Sequence, residues 1–466
     1  MEPDRKPKPG RRLVLCFDGT GNHYKGNESD SNVVKIYEML DRNDKRQFHY
    51  YQPGIGTFAV EAMGAPNSWF GRIKSTVRGI IDKAVGTTFE YHVSSGYRFL
   101  MRYYKPGDDI YIFGFSRGAY TARFLAEMIE HVGLLSQGNE EMIRFVFASF
   151  SKVQRSRGKP NKSAKEIQDL LYLQKFKSTF CRPEVRVHFL GLFDCVNSVS
   201  QYEVPYSRHS YRYIAPSPAK HIRHAIAIHE RRLKFKPELF TFEDDNAAAD
   251  IKEVWFAGNH CDVGGGFSYE GDIKRLLSDI PLAWMIEEVI SLEDCPTGQL
   301  KFHCDHLEAI AHSSVAPPVP CTNGQHNGTS TNGVSTNGAS ASNGASPRND
   351  CGEYKGTHHH DYLVFGRGTP WYRTMMWWSM ELLPFFTRLE LEQNHWKPRY
   401  WPPNCGAERD IPTDAHIHIS VEQLHRAGVL KKMPKLGGDE APMLQDPLIV
   451  VRFLRRALPW NWGRSS

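Results

Sequence analysis

Short apolar runs alternate along the chain with longer stretches that carry one apolar face. Leu13–Phe17 and Ile110–Phe115 are continuous apolar runs, which is typical of strands buried on both faces of a parallel sheet. Between them, Asn32–Leu40 has its apolar residues at helical spacing, and Phe48–Gln52 predicts a second strand. Strands that alternate with helices in this way predict an α/β fold, with a mostly parallel central sheet flanked by helices.

The same alternation continues to about residue 292. It predicts strands at Val185–Leu192 and Glu253–Ala257, and helices at Thr87–Tyr104 and Leu276–Leu292. Lys220–Arg232 is consistent with either a helix or a strand. Each predicted strand from residue 110 onward is followed by a polar or glycine-rich segment, which is where sites form in parallel sheets.

Composition adds few constraints on function. The formal charge of +6 is small for 466 residues, and no basic run is interleaved with base-stacking aromatic residues, so we expect no nucleic-acid partner. The nine cysteines form no CxxC pair, which favours reduced thiols in an intracellular protein. The charged, proline-rich N-terminus has no apolar segment typical of a signal peptide, and no apolar run reaches 18 residues. A cytoplasmic location is therefore expected, with membrane association as a further option.

The segment Asp109–Ala126 contains the clearest chemical motif, Gly114-Phe115-Ser116-Arg117-Gly118. It fits the GxSxG pattern of the nucleophile elbow in α/β-hydrolases, where a serine sits at a tight turn between a strand and a helix. The glycines two residues on either side leave room for that turn. Because a predicted strand precedes Ser116 and a predicted helix follows it, the sequence context is the one that the motif requires.

Two further polar residues follow later strands. Asp194 comes directly after the strand at 185–192, and His260 follows the strand at 253–257. The order Ser, Asp, His is the chain order of α/β-hydrolases. We therefore predict Ser116 as nucleophile, His260 as general base and then acid, and Asp194 as the residue that orients the imidazole.

The loop after the first strand is predicted to help bind an oxyanion. Backbone N–H groups of Gly19 and Thr20, with that of Arg117 after the nucleophile, are the expected donors. A plain turn capped by Asp18 is the alternative for this loop. The predicted mechanism requires neither a metal nor another cofactor.

Successive blocks of the sequence resemble those of the DUF2235 family. The blocks are LVLCFDGTGN, YYQPGIGT, GFSRGAYTAR, FLGLFDCVNSV, RHAIAIHERR and WFAGNHCDVGGG, in order from residue 12 to about residue 300. The resemblance implies an α/β-hydrolase similar to type VI secretion phospholipase effectors, with the triad at Ser116, Asp194 and His260. The chain is more similar to fungal members than to secreted bacterial effectors. It departs from the family at His229, where an aspartate is usual, and this leaves Asp194 as the stronger candidate for the acid.

The predicted activity is hydrolysis of acyl esters, with a phospholipase A as one form of it. The expected substrate is a small-molecule or lipid ester. One alternative is a metal-dependent hydrolase built on Asp18, Asp194, Asp262 and His260, and another is a non-enzymatic interaction protein. His416 or His418 is an alternative base, and His358–His360 with Asp361 and Asp262 is an alternative metal site, although a surface histidine run is the simpler interpretation.

Composition also predicts the domain organisation. We expect a flexible tail at 1–10, an α/β-hydrolase domain at 11–315, and a disordered segment at 316–353, which is rich in Asn, Gly, Ser and Thr. A helical C-terminal part at 354–466 is expected to pack on the hydrolase domain or to form a cap. Within it, Trp371–Phe386 and Pro447–Trp460 are apolar segments that could instead contact a membrane surface.

Overall fold

The computed structural model describes most of the predicted hydrolase domain and part of the C-terminal region. The described residues are 10–54, 73–156, 163–196, 218–240, 250–269, 275–295, 297–303, 360–365, 370–382, 388–392, 395–399, 403–430, 433–434 and 436. The predicted disordered segment at 316–353, the N-terminal tail up to residue 9 and the segment Pro447–Trp460 lie outside them.

Strands and helices alternate as the hydrophobic pattern predicts. The strands are β1 (Arg12–Phe17), β2 (Gln47–Gln52), β3 (Asp109–Phe115), β4 (Leu134–Leu135), β5 (Cys181–Arg182), β6 (Val187–Phe193), β7 (Ala219–Ala227), β8 (Asp250–Phe256), β9 (Arg388–Glu392), β10 (His395–Arg399) and β11 (His416–Ile417). The helices are α1 (Asn32–Met39), α2 (Ile73–Tyr103), α3 (Arg117–Val132), α4 (Ile143–Ser156), α5 (Ala164–Phe180), α6 (His260–Gly264), α7 (Asp279–Ile290), α8 (Trp371–Leu382) and α9 (Ile419–Arg426).

Seven strands form one parallel sheet in the order β11-β8-β7-β6-β3-β1-β2. The α/β prediction is therefore confirmed. Because the strands are parallel, their carboxyl ends share one edge of the sheet, and polar residues that follow β1, β3, β6 and β8 are brought to that edge. Lys220–Arg232 was consistent with a helix or a strand, and its residues up to Ala227 belong to strand β7.

Helices cover both faces of the sheet and divide its apolar residues into two cores. Alternate residues of β1 show the division, with Leu13 and Leu15 in one core and Val14 and Cys16 in the other. The first core packs against α2, α3, α4 and α5, and the second against α1, α7 and α9. Burial on both faces explains why these strands have continuous apolar runs instead of alternating ones.

Some element boundaries differ from the prediction. Helix α2 begins at Ile73 instead of Thr87, because the glycines in this segment do not interrupt it. The C-terminal region contains strands as well as helices: β9 and β10 form an antiparallel pair, and β11 extends the central sheet beside β8. A purely helical description of that region was therefore incomplete. No helix within the described ranges combines the length and the apolar character needed to cross a membrane.

Candidate active site

Ser116 occupies a strained turn between β3 and α3. Its backbone φ of 57° and ψ of −124° lie outside the regions that non-glycine residues usually adopt. Four non-glycine residues in the described chain have a positive φ, and both Ser116 and Asp194 are among them. Strain of this kind costs about 1–3 kcal/mol per residue and concentrates at functional sites.

The glycines of the motif are required by close backbone contacts. A Cβ at Gly114 would lie 2.6 Å from Ala119 Cα. A Cβ at Gly118 would lie 2.3 Å from the carbonyl oxygen of Phe17 and 2.4 Å from that of Asp18. The end of β1 therefore presses directly against the turn, and only glycine fits at these two positions.

Asp194 and His260 form a buried hydrogen-bonded pair. His260 Nδ1 lies 2.5 Å from Asp194 Oδ2, and the two side chains are 4% and 0% exposed. Although burial raises the pKa of Asp194, the Arg409 guanidinium and the hydrogen bond with His260 lower it well below its usual range. The ionised carboxylate can only accept, so Nδ1 carries the proton and Nε2 of the neutral ring is left as a base. Burial lowers the pKa of His260, against the effect of Asp194.

Ser116 lies beside this pair without being bonded to the histidine. Its backbone N–H donates to the carbonyl of Phe193, the residue before Asp194, at 3.0 Å. The ring of Phe115 packs on the His260 ring with centroids 4.7 Å apart. Ser116 forms no hydrogen bond with His260 in the part of the chain that is described. Such contacts are commonly loose when no substrate is bound.

Arg409, from the C-terminal region, completes the carboxylate site. Its two terminal nitrogens donate to the two oxygens of Asp194 at 2.7 and 2.9 Å, and they also donate to the carbonyls of Ala227 and Phe235. The N–H of Ala227 donates to Asp194 Oδ1 at 3.0 Å. Every oxygen of this buried carboxylate therefore has partners, which a buried charge requires.

A second buried ion pair lies behind the histidine. Arg232 donates to both oxygens of Glu230 at 2.9 and 2.7 Å, and Glu230 Oε2 accepts the backbone N–H of His260 at 3.3 Å. The guanidinium of Arg232 also lies over the rings of Phe235, Tyr362 and Trp377 at 3.7, 4.0 and 4.7 Å. Because Phe235 contacts the His260 ring, with centroids 4.7 Å apart, these aromatic rings form one wall beside His260.

A comparison with known families identifies the chain. Residues 11–288 match the family described as "T6SS, Phospholipase effector Tle1-like, catalytic domain". This match covers more than half of the chain. The chain belongs to the Tle1-like catalytic-domain family. The resemblance to DUF2235 is thereby confirmed.

Individual relatives of this Tle1-like chain are distant. An uncharacterized protein of Saccharomyces cerevisiae, YEL023C, is 28% identical over 90% of this chain and 80% of its own, which agrees with the expectation of a fungal-type member. An uncharacterized Pseudomonas aeruginosa structure and the Tle1 effector bound to the VgrG spike of the type 6 secretion system are each 19% identical, with TM-scores of 0.34 and 0.30. They cover 63% and 58% of this chain, which spans only 47% and 54% of theirs.

The predicted oxyanion loop of this Tle1-like chain lies against the elbow. A Cβ at Gly19 would be 2.9 Å from the Phe115 ring, so the loop contacts the residue before Ser116. The Gly19 N–H already donates to Asp18 Oδ1 at 2.7 Å. Thr20 Oγ1 is buried and has no hydrogen-bond partner within the described part of the chain. Arg117 begins α3, where the helix dipole favours an anion.

The Asp18 carboxylate is buried and hydrogen-bonded to neighbouring residues. Its second oxygen accepts from Tyr51 at 2.8 Å, and burial raises its pKa despite the hydrogen bonds from Ser31, Tyr51, Gly19 and Asn22. Among the described residues, Asp18, Asp194, Asp262 and His260 do not form a metal-binding group. The Asp262 carboxylate instead accepts the backbone N–H of Asn259, the N-cap residue of α6. It also lies 2.7 Å from His360 Nδ1.

The alternative histidines lie elsewhere. His418 caps α9 and stacks on Phe256 at 4.6 Å, and His416 pairs with Val254 at the sheet edge. His358 and His359 lie outside the described residues, and His360 packs against Phe267 with ring centroids 3.5 Å apart. His229 lies after β7 instead of on a helix, and its Nδ1 accepts from Gly258 N–H at 2.9 Å, two residues before His260.

Sequence reasoning missed Arg409, Glu230 and Arg232. Glu230 and Arg232 belong to the block RHAIAIHERR, but nothing in their spacing distinguishes buried charges from surface ones. Arg409 lies in a polar segment, 215 residues from Asp194. Such a contact has no local pattern in the sequence.

Proposed function

We propose that this chain is a serine hydrolase that cleaves acyl esters, with phospholipids as substrates of a phospholipase A-type reaction. Membership of a phospholipase-effector family supports a lipase-type hydrolase. The observation that carries the finer assignment is the buried hydrogen bond between the ionised Asp194 carboxylate and the His260 ring, beside Ser116 with its strained backbone. This combination is what a nucleophilic serine requires: a base with a fixed tautomer and a third group that orients the base.

The reaction would proceed in two balanced halves. Ser116 Oγ attacks the ester carbonyl while His260 Nε2 takes its proton, and the protonated ring then gives that proton to the leaving alcohol. An acyl-enzyme remains. Water attacks it with His260 again as base, which releases the carboxylic acid and restores the Ser116 hydroxyl.

Stabilisation of the oxyanion is proposed to come from the loop after β1 and the start of α3. The proposed donors are the N–H groups of Thr20 and Arg117 and the Thr20 hydroxyl, which has no hydrogen-bond partner among the described residues. Gly19 is a weaker candidate than the sequence suggested, because its N–H is bonded to Asp18. Loss of one oxyanion donor typically costs about 10²–10³-fold in kcat.

Labelling by a fluorophosphonate probe tests the nucleophile. The wild-type chain should be labelled, and Ser116→Ala should lose the label together with ester hydrolysis, by on the order of 10⁶-fold. Ser94→Ala is the matched control, because Ser94 is also buried and its hydroxyl has no partner among the described residues. Labelling that persists in Ser116→Ala would refute the assignment, and a metal-dependent hydrolase predicts no labelling of the wild type.

Phosphatidylcholine vesicles test the substrate class. We expect release of fatty acid, which phospholipase A chemistry requires, and no release of choline. Hydrolysis of p-nitrophenyl butyrate without release of fatty acid from vesicles would retain the serine mechanism and exclude the phospholipid substrate.

A further inference from the structure

A cluster of metal-ligating side chains lies at the edge of the sheet opposite the candidate active site. His188, His221 and Asp250 fall within the first three residues of β6, β7 and β8, and Asp109 begins β3. Strands rise about 3.3 Å per residue, so this edge is roughly 20 Å from Ser116. Nothing in the proposed reaction uses these residues.

His221 faces carboxylates with both ring nitrogens. Its Nδ1 lies 2.7 Å from Asp250 Oδ2, and its Nε2 lies 2.9 and 3.1 Å from the two oxygens of Asp294. A neutral imidazole carries one proton and can donate to one of these groups only. If Nδ1 carries the proton, the lone pair of Nε2 faces the lone pairs of the Asp294 carboxylate. A cation bound between them would interact favourably with both groups.

His188, on the neighbouring strand, lies between a more distant carboxylate and a thiol. Its Nδ1 faces Asp109 Oδ1 at 3.8 Å, and its Nε2 lies 3.6 Å from Cys295 Sγ. Cys295 follows Asp294 directly, so one short segment after α7 supplies an oxygen to one histidine and a sulfur to the other. In the described ranges of the chain, ligand atoms of His188, His221 and Asp294 all lie within 4.8 Å of one another, whereas Cys295 Sγ lies farther than this from at least one of them.

These distances fit the ligand shell of a tetrahedral zinc ion. With bonds of about 2.0 Å to nitrogen or oxygen and about 2.3 Å to sulfur, ligand atoms lie about 3.3 Å (N to O) and about 3.5 Å (N to S) apart. Two imidazoles on one such ion have ring centroids about 5 Å apart, and those of His188 and His221 are 5.2 Å apart. The pairs His221–Asp294 and His188–Cys295 lie close to these spacings.

The hydrogen bonds that hold the candidate ligand His221 in place also resemble those found around metal sites. Ligating histidines usually donate their second N–H to a carboxylate, which fixes the ring and the tautomer. Asp250 has this position for His221 and is in turn held by Arg223 at 2.7 Å. Asp109, which the Thr297 hydroxyl holds at 2.6 Å, is 3.8 Å from His188 and does not accept a hydrogen bond from it. The Asp294 side chain is 41% exposed, which gives an ion access from solvent.

We propose that His188 Nε2, His221 Nε2 and Asp294 bind one structural Zn²⁺, and that the Cys295 side chain, 3.6 Å from His188, rotates to supply its thiolate as the fourth ligand. The ion would join the amino ends of β6 and β7 to the segment after α7, and would compete with Lys220, which forms an ion pair with Asp294. Four protein ligands leave no open position, so the site would stabilise the fold and take no part in catalysis. This inference does not depend on the proposed ester hydrolysis.

Metal content and thermal stability test the site directly. Full-length chain without a histidine tag is incubated with excess zinc chloride, desalted and analysed by inductively coupled plasma mass spectrometry. We expect about one zinc per chain, and a higher Tm than for the chain treated with chelator. A zinc content near zero, or a Tm that zinc does not raise, would overturn the proposal.

Variants of the ligands locate the zinc. His221→Gln and Asp294→Asn should each weaken zinc binding by at least about 100-fold, and Asp250→Asn should weaken it by about 10–100-fold through the histidine. Asp294→Asn lies at a partly exposed position and guards against a result that reflects misfolding. His416→Gln is the control, since it alters an exposed histidine on β11 and should leave zinc content unchanged. Equal zinc content in all four variants would contradict the assignment.

Cobalt reports on the fourth ligand. Co²⁺ in the wild-type site should give a thiolate-to-metal charge-transfer band in the near ultraviolet, and Cys295→Ser should lose that band. Absence of the band in the wild type would remove Cys295 from the site and overturn the four-ligand proposal.

Discussion

Asp194 shows how a buried charge is retained at the site. Its side chain is fully buried, and an unpaired carboxylate there would be neutralised. Two guanidinium contacts, one backbone N–H and the imidazole together keep it ionised. The carboxylate can therefore stabilise an imidazolium during the proposed reaction without taking its proton.

Removal of Glu230 should shift the pH dependence of the proposed activity. The Glu230 carboxylate raises the pKa of His260, whereas burial and Arg232 lower it. Glu230→Gln removes the raising effect and leaves Arg232 unpaired, so the pKa of His260 falls. Because the base must be neutral, the acid limb of kcat/KM should move to lower pH, as measured with p-nitrophenyl butyrate from about pH 5 to about pH 9.

The same variant should lose about 3–5 kcal/mol of stability, since it breaks a buried ion pair. Its circular dichroism spectrum, recorded across the same pH range, separates a pKa effect from unfolding. An acid limb that moves to higher pH would contradict the electrostatic role of Glu230.

At the scale of elements, the turn from β3 to α3 depends on its contact with the end of β1. The carbonyl oxygens of Phe17 and Asp18 occupy the space that a side chain at Gly118 would need. The same contact brings the Gly19–Thr20 loop against the elbow. One packing arrangement therefore positions both the proposed nucleophile, Ser116, and the proposed oxyanion donors.

Gly118→Ala should disrupt both the turn at Ser116 and the Gly19–Thr20 loop. The added methyl group should cost about 1–3 kcal/mol as overpacking, and displacement of the loop should lower kcat by at least about 10²-fold. Gly138→Ala is the control: its φ of 96° imposes about 1 kcal/mol of backbone strain, but no atom lies within 4 Å of the added Cβ. A kcat for Gly118→Ala equal to that of the control would refute the coupling.

At the scale of the whole molecule, the C-terminal region is part of the site. Arg409 binds Asp194, while Tyr362 and Trp377 contribute to the aromatic wall around Arg232. Strand β11 adds to the central sheet. We propose on these contacts that the region packs on the hydrolase domain.

Arg409→Met should destabilise the fold in a pH-dependent way. It leaves Asp194 as a buried charge without its main partner, which should cost about 3–5 kcal/mol at neutral pH. The pKa of Asp194 is lowered in the native wild type, so its contribution is present above the unfolded value of about 3.9 and is lost as the pH falls below it. The difference in free energy of unfolding between wild type and variant should therefore shrink in acid.

Urea denaturation at neutral pH and near pH 3 measures this difference. The control is Arg426→Met, whose ion pair with Glu422 is largely exposed and should contribute no more than about 1 kcal/mol. A difference that grows in acid would show that Arg409 does not stabilise an ionised Asp194.

Deletion of residues 321–350 tests the predicted division of the chain. Their composition offers almost no apolar surface to bury, so the deletion should change the free energy of unfolding by less than about 0.5 kcal/mol. Ester hydrolysis should also be retained. Loss of folding or activity would show that this segment contributes to the structure.

Local patterns in the sequence were sufficient to predict the sheet, the strand–turn–helix at Ser116, and the positions of Asp194 and His260 after later strands. Continuous apolar runs are a direct consequence of burial on both faces of the sheet. A turn too tight for side chains requires glycines at fixed positions, and these can be recognised in the sequence. Element ends and the nature of β7 were less certain, because strand and helix periods are hard to separate in short apolar segments.

The tertiary structure alone decided which charges are buried and what neutralises them. Arg409 reaches Asp194 across 215 residues, and His188, His221 and Asp294 meet only because three separate segments converge at one end of the sheet. A charged side chain in a polar segment looks the same in sequence whether it faces water or a buried partner. Ser116 could therefore be predicted from the residues next to it in the sequence. The ion pair between Arg409 and Asp194 could not, because its partners are far apart in the chain.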